Sequence, residues 1–559
     1  MIRKILVLSF WAPLLWAQGN VSSCYEFPRD AVEQIRQDVA YLASDELGGR
    51  KPGSDGDELS REYIMAQFRN HGVEPYFKET YLQEFSVPNR VDRPADGNYF
   101  RFKGDALKLD EAYYPVMYSG NGSFKGETEY VSFGIESQKL DRDDLDDEDL
   151  KGAIAVMEIS SPDGIHPHSK FKDWHDIAKR IRLLKTKGAK AVILVHTKGN
   201  ANSPKSEFKS LESIGIPVIY VSDPKIAKKL RRSREVEGSV SLHAIEDVTY
   251  NVAGMINNGQ RRTIIIGAHY DHLGFGGESS RYTGEEPMVH NGADDNASGV
   301  AGLLGMARFL SKTQDPVMRR FNYLLVAFSG EEMGLLGSKA FVERTATRQE
   351  SWYYMFNMDM IGRMEDDRLA VNGMGTSPQW RDLVEPIECG LNFEFGESGV
   401  GPSDHTSFYY ASVPALHFFT GTHPDYHKPS DDADKINVVG IYRVLGLMSS
   451  IIRNTPQGGD FVFTTTKIES TKAPKFSVTL GVMPDYLYSG NGMKIDGVSP
   501  DKPAAKAGLK AGDIVTQLGE VQVSDMQSYM QALAQFNQGD KATLLYQREG
   551  KVEKAQIQF

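Results

Sequence analysis

Four apolar segments in the middle of the chain each end at ionisable residues. The segments are 263–268, 324–328, 352–358 and 413–419, and the residues that follow them are His269 and Asp271, Glu331 and Glu332, Asp359, and His427. Short runs of this kind, rich in Ile, Leu, Phe and Tyr, are typical of strands covered on both faces of a sheet. Because ligands in open α/β sheets bind beyond the carboxyl ends of the strands, the pattern predicts one shared site.

Residues 291–310 add two carboxylates to this predicted site. The segment reads NGADDNASGVAGLLGMARFL and places Asp294 and Asp295 just before an amphipathic helix, where unpaired N–H groups favour negative charge. Each residue alone is typical of a helix cap or a packed polar side chain. Together, two imidazoles and several carboxylates suit zinc, with cobalt and manganese also compatible, and such a set can hold two ions about 3.5–4 Å apart.

Five motifs in this region resemble one family when they are read in order. HYDHLG, NGADDNASG, SGEE, NMDMIG and YHKPSDD resemble the co-catalytic zinc aminopeptidases, the family that also contains glutamate carboxypeptidase II. The resemblance covers about residues 30–90 and 246–455. It implies an α/β fold with a mixed, mostly parallel sheet flanked by helices. It also implies two zinc ions, with the following ligands: His269 and Asp359 for one ion, Glu332 and His427 for the other, and Asp294 as the bridge.

The resemblance also assigns roles to residues that do not bind metal. Neighbouring residues at a strand end point in different directions, so Glu331 is expected to face the attacking water as general base while Glu332 binds metal. Asp271 is expected to fix the tautomer of His269. Tyr426 resembles a tyrosine that hydrogen-bonds the developing oxyanion. Asp295 matches an aspartate beside the bridging ligand, where the joining peptide bond is cis.

The remaining segments predict further domains around the catalytic one. The peptidase domain is expected at 25–94 and 246–455, and the region between them, 95–245, resembles an inserted protease-associated domain. A linker is predicted at 456–475. Residues 476–559 resemble a PDZ domain, with TLGV at 479–482 as the loop that binds a ligand's C-terminal carboxylate. The alternative is that this groove stays empty and packs against the catalytic domain.

The N-terminus predicts export from the cytoplasm. A basic start, an apolar stretch at 5–17 and small Ala17 form a secretory signal peptide over 1–17, so the protein is expected in the periplasm, the cell envelope or the medium. A lipid anchor on Cys24 is a less favoured alternative, because polar and small residues separate that cysteine from the apolar stretch. Cys24 and Cys389 are the only cysteines, so no disulfide framework is expected, and no later segment has the roughly 20 apolar residues of a spanning helix.

Composition limits the classes of partner. The chain has 559 residues, 40% hydrophobic and 25% charged, which is ordinary for a soluble protein of about three or four domains. The net charge of −12 and the lack of a basic face argue against nucleic-acid binding. We therefore predict an exported zinc aminopeptidase acting on peptides with a free N-terminus. A carboxypeptidase of this family uses an arginine cluster for the substrate carboxylate, and Arg363 alone does not form one.

Three other functions remain as alternatives. Glutaminyl cyclases share the scaffold and use one zinc ion, whereas the adjacent aspartates and the complete ligand set favour two. A receptor-like homologue, similar in architecture to the transferrin receptor, would have lost metal ligands. A serine hydrolase could use the SDHTSF segment at 403–408, but no G-x-S-x-G elbow accompanies it, and SDH also occurs near the site in this peptidase family.

Overall fold

The structure is a computed structural model that describes residues 22–559 apart from 146–149, 167–168, 278, 457, 467–477, 485–487, 489–490, 499–501, 524–525, 537–538 and 549. The predicted signal peptide at 1–17 lies outside the described residues. No helix within the described ranges combines the length and the apolar character that crossing a membrane would require.

The strands, in chain order, are β1 (Ser22–Ser23), β2 (Glu74–Pro75), β3 (Leu82–Asp92), β4 (Tyr99–Phe102), β5 (Asp105–Ala106), β6 (Tyr113–Pro115), β7 (Gly122–Tyr130), β8 (Glu136–Ser137), β9 (Arg142–Asp143), β10 (Ile154–Glu158), β11 (Ala191–Val195), β12 (Val218–Val221), β13 (Glu235–Val240), β14 (His243–Ile256), β15 (Thr263–His269), β16 (Asn322–Phe328), β17 (Trp352–Met358), β18 (Arg368–Asn372), β19 (Ile387–Glu388), β20 (Asn392–Gly396), β21 (Ala415–Phe419), β22 (Val482–Pro484), β23 (Met493–Val498), β24 (Ile514–Leu518), β25 (Val521–Gln522), β26 (Lys541–Arg548) and β27 (Lys551–Gln558). The helices are α1 (Ala31–Leu42), α2 (Asp55–Asn70), α3 (Ile177–Thr186), α4 (Pro224–Lys229), α5 (Gly299–Lys312), α6 (Leu336–Arg344), α7 (Gln379–Val384), α8 (His405–Tyr410), α9 (Val438–Asn454), α10 (Pro503–Lys506) and α11 (Met526–Leu533).

The central sheet carries the four segments that the sequence predicted as strands. Its order is β2-β14-β16-β15-β17-β21-β18-β20, with β3 also paired to β14. β16, β15, β17 and β21 run parallel to their neighbours in that order, so their carboxyl ends meet at one edge. The predicted α/β fold with a mixed, mostly parallel sheet is confirmed.

Helices cover both faces of these strands, which explains their continuous apolar sequences. In β15, Ile264 and Ile266 pack into the core formed with α1, α5 and α9, whereas Ile265 packs into the core formed with α6 and α8. Every residue of β15, β16, β17 and β21 is buried as a result. Helix α1 lies on the first of these faces, and its Ile35, Val39 and Leu42 lie in the same core as α5.

The segment between β3 and β14 forms a separate sheet. Eight strands within 99–240 pair in the order β5-β4-β13-β7-β10-β11-β12-β6, and each face of this sheet has its own apolar core. Asp92, the last residue of β3, is the register partner of His243, the first residue of β14. The chain therefore leaves the central sheet and returns to it at one point, as an insertion must.

The C-terminal segment forms a third sheet, in the order β22-β23-β24-β26-β27 with β25 paired to β24. It encloses a core of its own together with α11. Part of the predicted linker packs against the peptidase body, because the ring of Phe461 lies 4.5 Å from that of Trp380. A hydrogen bond joins the third sheet to the peptidase body, from the hydroxyl of Thr422 to the carbonyl of Pro484 at 3.3 Å.

A disulfide corrects two expectations about the cysteines. Cys24 and Cys389 are bonded to each other, beside the short pairing of β1 with β19. The chain was predicted not to rely on disulfides, which is wrong because these distant cysteines meet in the fold. The sulfur of Cys24 is engaged in this bond and so is unavailable to a lipid anchor.

Candidate metal centre

The predicted site residues follow the ends of adjacent parallel strands. His269 is the last residue of β15, Glu331 and Glu332 lie just after β16, Asp359 directly follows β17, and His427 lies in the loop after β21. Each side chain is buried or nearly so. Because the strands share one direction, the fold brings all five residues to the same edge of the sheet.

Asp295 lies between the two histidines. Its Oδ1 is 3.4 Å from Nε2 of His269, and its Oδ2 is 3.2 Å from Nε2 of His427. The residue belongs to a buried turn, Ala293–Ser298, that leads into α5. A carboxylate in this position can offer one oxygen to each of two ions, which is the role predicted for Asp294.

The prediction that Asp294 bridges the ions is wrong. Its Oδ1 accepts a hydrogen bond from the main-chain N–H of Gly362 at 2.7 Å, and its Oδ2 is 3.2 Å from Nε2 of His423. Consecutive side chains in this turn point to different sides, and the motif does not specify which of them faces the histidines. The cis peptide bond joins Asp295 to Asn296, one position later than the resemblance implied.

The first group of possible ligands comprises His269, Asp295 and Asp359. Oδ1 of Asp359 lies 3.3 Å from Nε2 of His269. Nδ1 of His269 lies 3.2 Å from the main-chain oxygen of Asp271. Since a carbonyl oxygen can only accept, the proton sits on Nδ1, and Nε2 is left with a lone pair for a metal ion.

The second group gathers around the other oxygen of Asp295. Oε2 of Glu332 lies 3.3 Å from Nε2 of His427, whose Nδ1 is 2.9 Å from the main-chain oxygen of Ser279. His272 also belongs to this group, with its Nδ1 2.8 Å from Oε1 of Glu332. Sequence analysis did not identify His272, although it stands inside the HYDHLG motif.

Asp271, which was predicted to orient His269, also holds the two glutamates that follow β16. Its carboxylate accepts hydrogen bonds from the main-chain N–H groups of Glu331 at 3.1 Å and Glu332 at 3.4 Å. Its Oδ1 is 3.7 Å from Nδ1 of His269, and the Nδ1–H of that imidazole donates instead to the main-chain carbonyl oxygen of Asp271. The residue therefore ties the end of β15 to the glutamates that follow β16.

The electrostatics of the centre reflect the excess of carboxylates. Burial lowers the pKa of His427, but Glu332 and Asp295 outweigh burial and raise it to about 10. Burial also lowers the pKa of His269. The neighbouring carboxylates of Asp359 and Glu331 outweigh burial and raise this pKa well above its ordinary value. Burial, aided by nearby carboxylates, raises the pKa of Glu331 well above the usual range. Such a site suits divalent cations, because a metal ion supplies the positive charge that protons otherwise provide.

Two buried residues that the sequence did not reveal hold the ligand-bearing loops. Arg50 donates to the main-chain oxygens of Tyr270 at 2.7 Å and Gly292 at 2.9 Å. Asp431 accepts from the N–H groups of both aspartates in the turn, at 3.0 and 3.1 Å. Both contacts join segments far apart in sequence, so no local pattern could have predicted them.

Tyr426 lies against the second group. Its ring stacks on that of His427 with centroids 3.9 Å apart, and the guanidinium of Arg281 lies 4.8 Å from the centre of the tyrosine ring. The structure thus brings Tyr426 to the rim of the centre, next to a predicted ligand.

Two imidazoles, three carboxylates and a further glutamate at the carboxyl edge of a mostly parallel sheet define a metal-dependent hydrolase, and this donor set suits zinc. The family model described as peptidase family M28 matches residues 251–452, and the model of a PDZ domain matches residues 475–559. The protein is therefore a zinc-dependent hydrolase with a peptidase family M28 domain and a C-terminal PDZ domain.

Several proteins to which this chain is similar are named as aminopeptidases. Aminopeptidase YwaD of Bacillus subtilis is 25% identical over 413 residues, which cover 70% of this chain and 78% of that protein. The structure of an aminopeptidase from Aneurinibacillus sp. strain AM-1 is 22% identical, with a TM-score of 0.44 over 78% of this chain and 96% of the other. The zinc aminopeptidase BSAP from Bacillus subtilis is 21% identical, with a TM-score of 0.42 over 77% and 98%.

Proposed function

We propose that this protein removes N-terminal residues from peptides and uses two zinc ions to do so. The observation that carries the proposal is the position of Asp295, whose two oxygens face His269 and His427 separately. One carboxylate shared in this way supports two metal positions rather than one. The named activity of the relative from Bacillus subtilis, aminopeptidase YwaD, supports an aminopeptidase.

Glu331 is the general base in the proposed reaction. It belongs to neither of the two groups of possible metal ligands, and its Oε2 is 3.9 Å from Nε2 of His269. When bound, zinc polarises the scissile carbonyl and lowers the pKa of a bound water to about 7. Glu331 takes the proton from the attacking water and passes it to the leaving amine. Tyr426 donates its hydroxyl hydrogen to the oxyanion that develops.

The surroundings of the centre support an aminopeptidase over a carboxypeptidase. Carboxylates dominate the site, and they suit the α-ammonium group of a free N-terminus. Arg363, the arginine that follows Asp359 in the chain, is paired with Asp425 at 3.2 Å. Its charge is therefore already engaged by the protein.

A substrate panel tests this proposal. Aminoacyl amides, N-acetylated peptides and peptides with N-terminal glutamine are incubated with the zinc-loaded protein, with and without a chelator. Cleavage restricted to free-amine substrates and lost on chelation supports the aminopeptidase. Cyclisation of N-terminal glutamine without cleavage would identify a glutaminyl cyclase, and a zinc-loaded protein inert on the whole panel would support the receptor-like alternative.

We further propose that the protein is exported to the periplasm, envelope or medium. The composition of residues 1–17 and the Cys24–Cys389 disulfide support this, since disulfides persist mainly in oxidising compartments. Cell fractionation and mass spectrometry test it, and the expected mature N-terminus is Gln18.

The separate sheet within 99–240 supports a protease-associated domain at that position.

The PDZ domain is proposed to bind the C-terminus of the substrate peptide. In the described part of its sheet, β22 is an edge strand that begins at Val482, the last residue of the TLGV segment. A peptide whose carboxylate sits in that loop and which pairs with β22 would extend its N-terminal part towards Pro484. Pro484 accepts the hydrogen bond from Thr422, in the loop that carries His427. Both termini of one peptide could then be held at once.

Peptide amides test this second proposal. Peptides of about eight residues are used because, at about 3.3 Å per residue, they are long enough to extend beyond β22. For these peptides, C-terminal amidation should raise KM about tenfold and leave kcat unchanged. Dipeptides bound at the metal centre cannot reach the TLGV loop, so amidation should leave their KM unchanged. Gly481→Ala should remove the discrimination, because a Cβ there would lie 2.1 Å from Cβ of Lys502. Equal KM values for long peptides and their amides would contradict the proposal.

A further inference from the structure

His272 is a third histidine at the metal centre. Its side chain is fully buried, with Nδ1 2.8 Å from Oε1 of Glu332 and 3.9 Å from Oδ2 of Asp295. The other oxygen of the same glutamate, Oε2, faces His427 at 3.3 Å. Glu332 is therefore held between two imidazoles, one at each oxygen.

The ring of His272 is arranged differently from those of the other two histidines. His269 and His427 each present Nε2 to the carboxylates and have Nδ1 beside a main-chain carbonyl oxygen. This is the usual arrangement of a histidine ligand, whose second nitrogen is satisfied by an outer partner. In His272 it is Nδ1 that faces the carboxylate, and Nε2 is buried without a hydrogen-bond partner among the described residues. Among the described residues, His272 therefore lacks the outer partner that the other two histidines have, while its Nδ1 lies at hydrogen-bond distance, 2.8 Å, from Oε1 of Glu332.

Close packing keeps this ring in place. The main-chain N–H of His272 donates to the carbonyl of Arg50 at 3.2 Å. Gly292 lies against the other side, where a Cβ would be 2.6 Å from two ring carbons of His272. Because any side chain at position 292 would displace the ring, the hydrogen bond to Glu332 is built into the fold.

We propose that His272 is a positioning residue for the second metal position. Its Nδ1–H donates to Oε1 of Glu332 and thereby directs Oε2 towards the space shared with His427 and Asp295. Its loss leaves the ligands of the first position intact and frees the glutamate to rotate. The inference rests on the two-ion function proposed above.

Metal titration of the full-length protein tests the inference. Metal-free wild type, His272→Ala, His272→Asn and His243→Ala are titrated with Zn²⁺ in competition with a chromophoric chelator. In His272→Ala we expect one of the two binding steps to lose about 10–100-fold in affinity, the usual effect of removing an outer partner of a ligand, while the other step is unchanged. His272→Asn should stay close to wild type, because its amide N–H replaces Nδ1–H. His243 is exposed on β14, so its replacement is a matched control.

The outcomes separate this inference from the proposed function. Uptake of a single ion by wild type contradicts the two-ion proposal, whatever the variants do. Two unchanged binding steps in His272→Ala overturn the positioning role, and so does an asparagine variant as weak as the alanine variant. Loss of one nitrogen neighbour of zinc in the X-ray absorption spectrum of His272→Ala would make His272 a ligand and also overturn it.

Discussion

Asp294 and Asp295 are adjacent in the chain, yet their carboxylates belong to different polar clusters. The carboxylate of Asp295 lies between His269 and His427, whereas that of Asp294 accepts hydrogen bonds from Gly362 and Ser298. One residue is placed to bind metal, and the other stabilises the turn that carries it.

Substitution of each aspartate should separate these two roles. Asp295→Asn is expected to reduce the zinc that remains after dialysis and to abolish measurable peptidase activity, because both metal positions share this carboxylate. Asp294→Asn should retain zinc at saturating concentration but lower the melting temperature, consistent with the roughly 1–3 kcal/mol cost of a buried hydrogen-bonding group left unpaired. Zinc content by mass spectrometry and thermal unfolding measure the two effects. The assignment is wrong if the Asp294 variant loses zinc and the Asp295 variant keeps it.

Replacement of Glu331 should affect catalysis and not metal binding. Glu331→Gln keeps the shape of the side chain but cannot accept the proton of the attacking water. We expect kcat to fall about 10²–10⁴-fold, with zinc content and KM close to those of wild type. Glu343→Gln, on α6 and away from the centre, serves as the control. A variant with normal kcat would exclude Glu331 as the base.

The disulfide should contribute to stability and not to the chemistry. It closes a loop of 365 residues and ties the start of the described chain to the segment after α7. Cys24→Ser, Cys389→Ser and the double variant should each lose a similar stability of about 2–5 kcal/mol, since each removes the same bond. Thermal unfolding with and without reductant measures this, and only wild type should respond to the reductant. Unequal losses among the three variants would show that the serines act through other contacts.

The buried carboxylate of Asp57 should give stability a pH dependence of defined sign. Its side chain lies under β14 beside Thr249, and burial raises its pKa to about 6. Between about pH 4 and 6 the folded protein holds a proton that the unfolded chain has released, so stability falls as pH rises through this window. Asp57→Asn should remove that part of the slope. The check is the difference in melting temperature between wild type and variant at pH 4, 5, 6 and 7, and a constant difference would contradict the assignment.

The catalytic sheet was predictable from local sequence, because a strand covered on both faces must be apolar along its whole length. Ile264, Ile265 and Ile266 illustrate this, since consecutive residues face different cores and all three are buried. The residues that end such strands were predictable as site candidates for the same reason, as His269, Glu332 and Asp359 show. An insertion at 95–245 was expected from its resemblance to a protease-associated domain, whereas the return of the chain to the register partner of Asp92 was not predictable.

By itself, the sequence determined the strands, the edge at which they converge and the kinds of side chain delivered there. Only the tertiary structure decided that Asp295 and not Asp294 faces both histidines, that His272 holds Glu332, that Arg50 joins the loops, and that Cys24 meets Cys389. The physical reason is that apolar periodicity follows from the local geometry of a strand. The direction of a side chain in a turn, and the meeting of residues hundreds of positions apart, depend on how the whole chain packs.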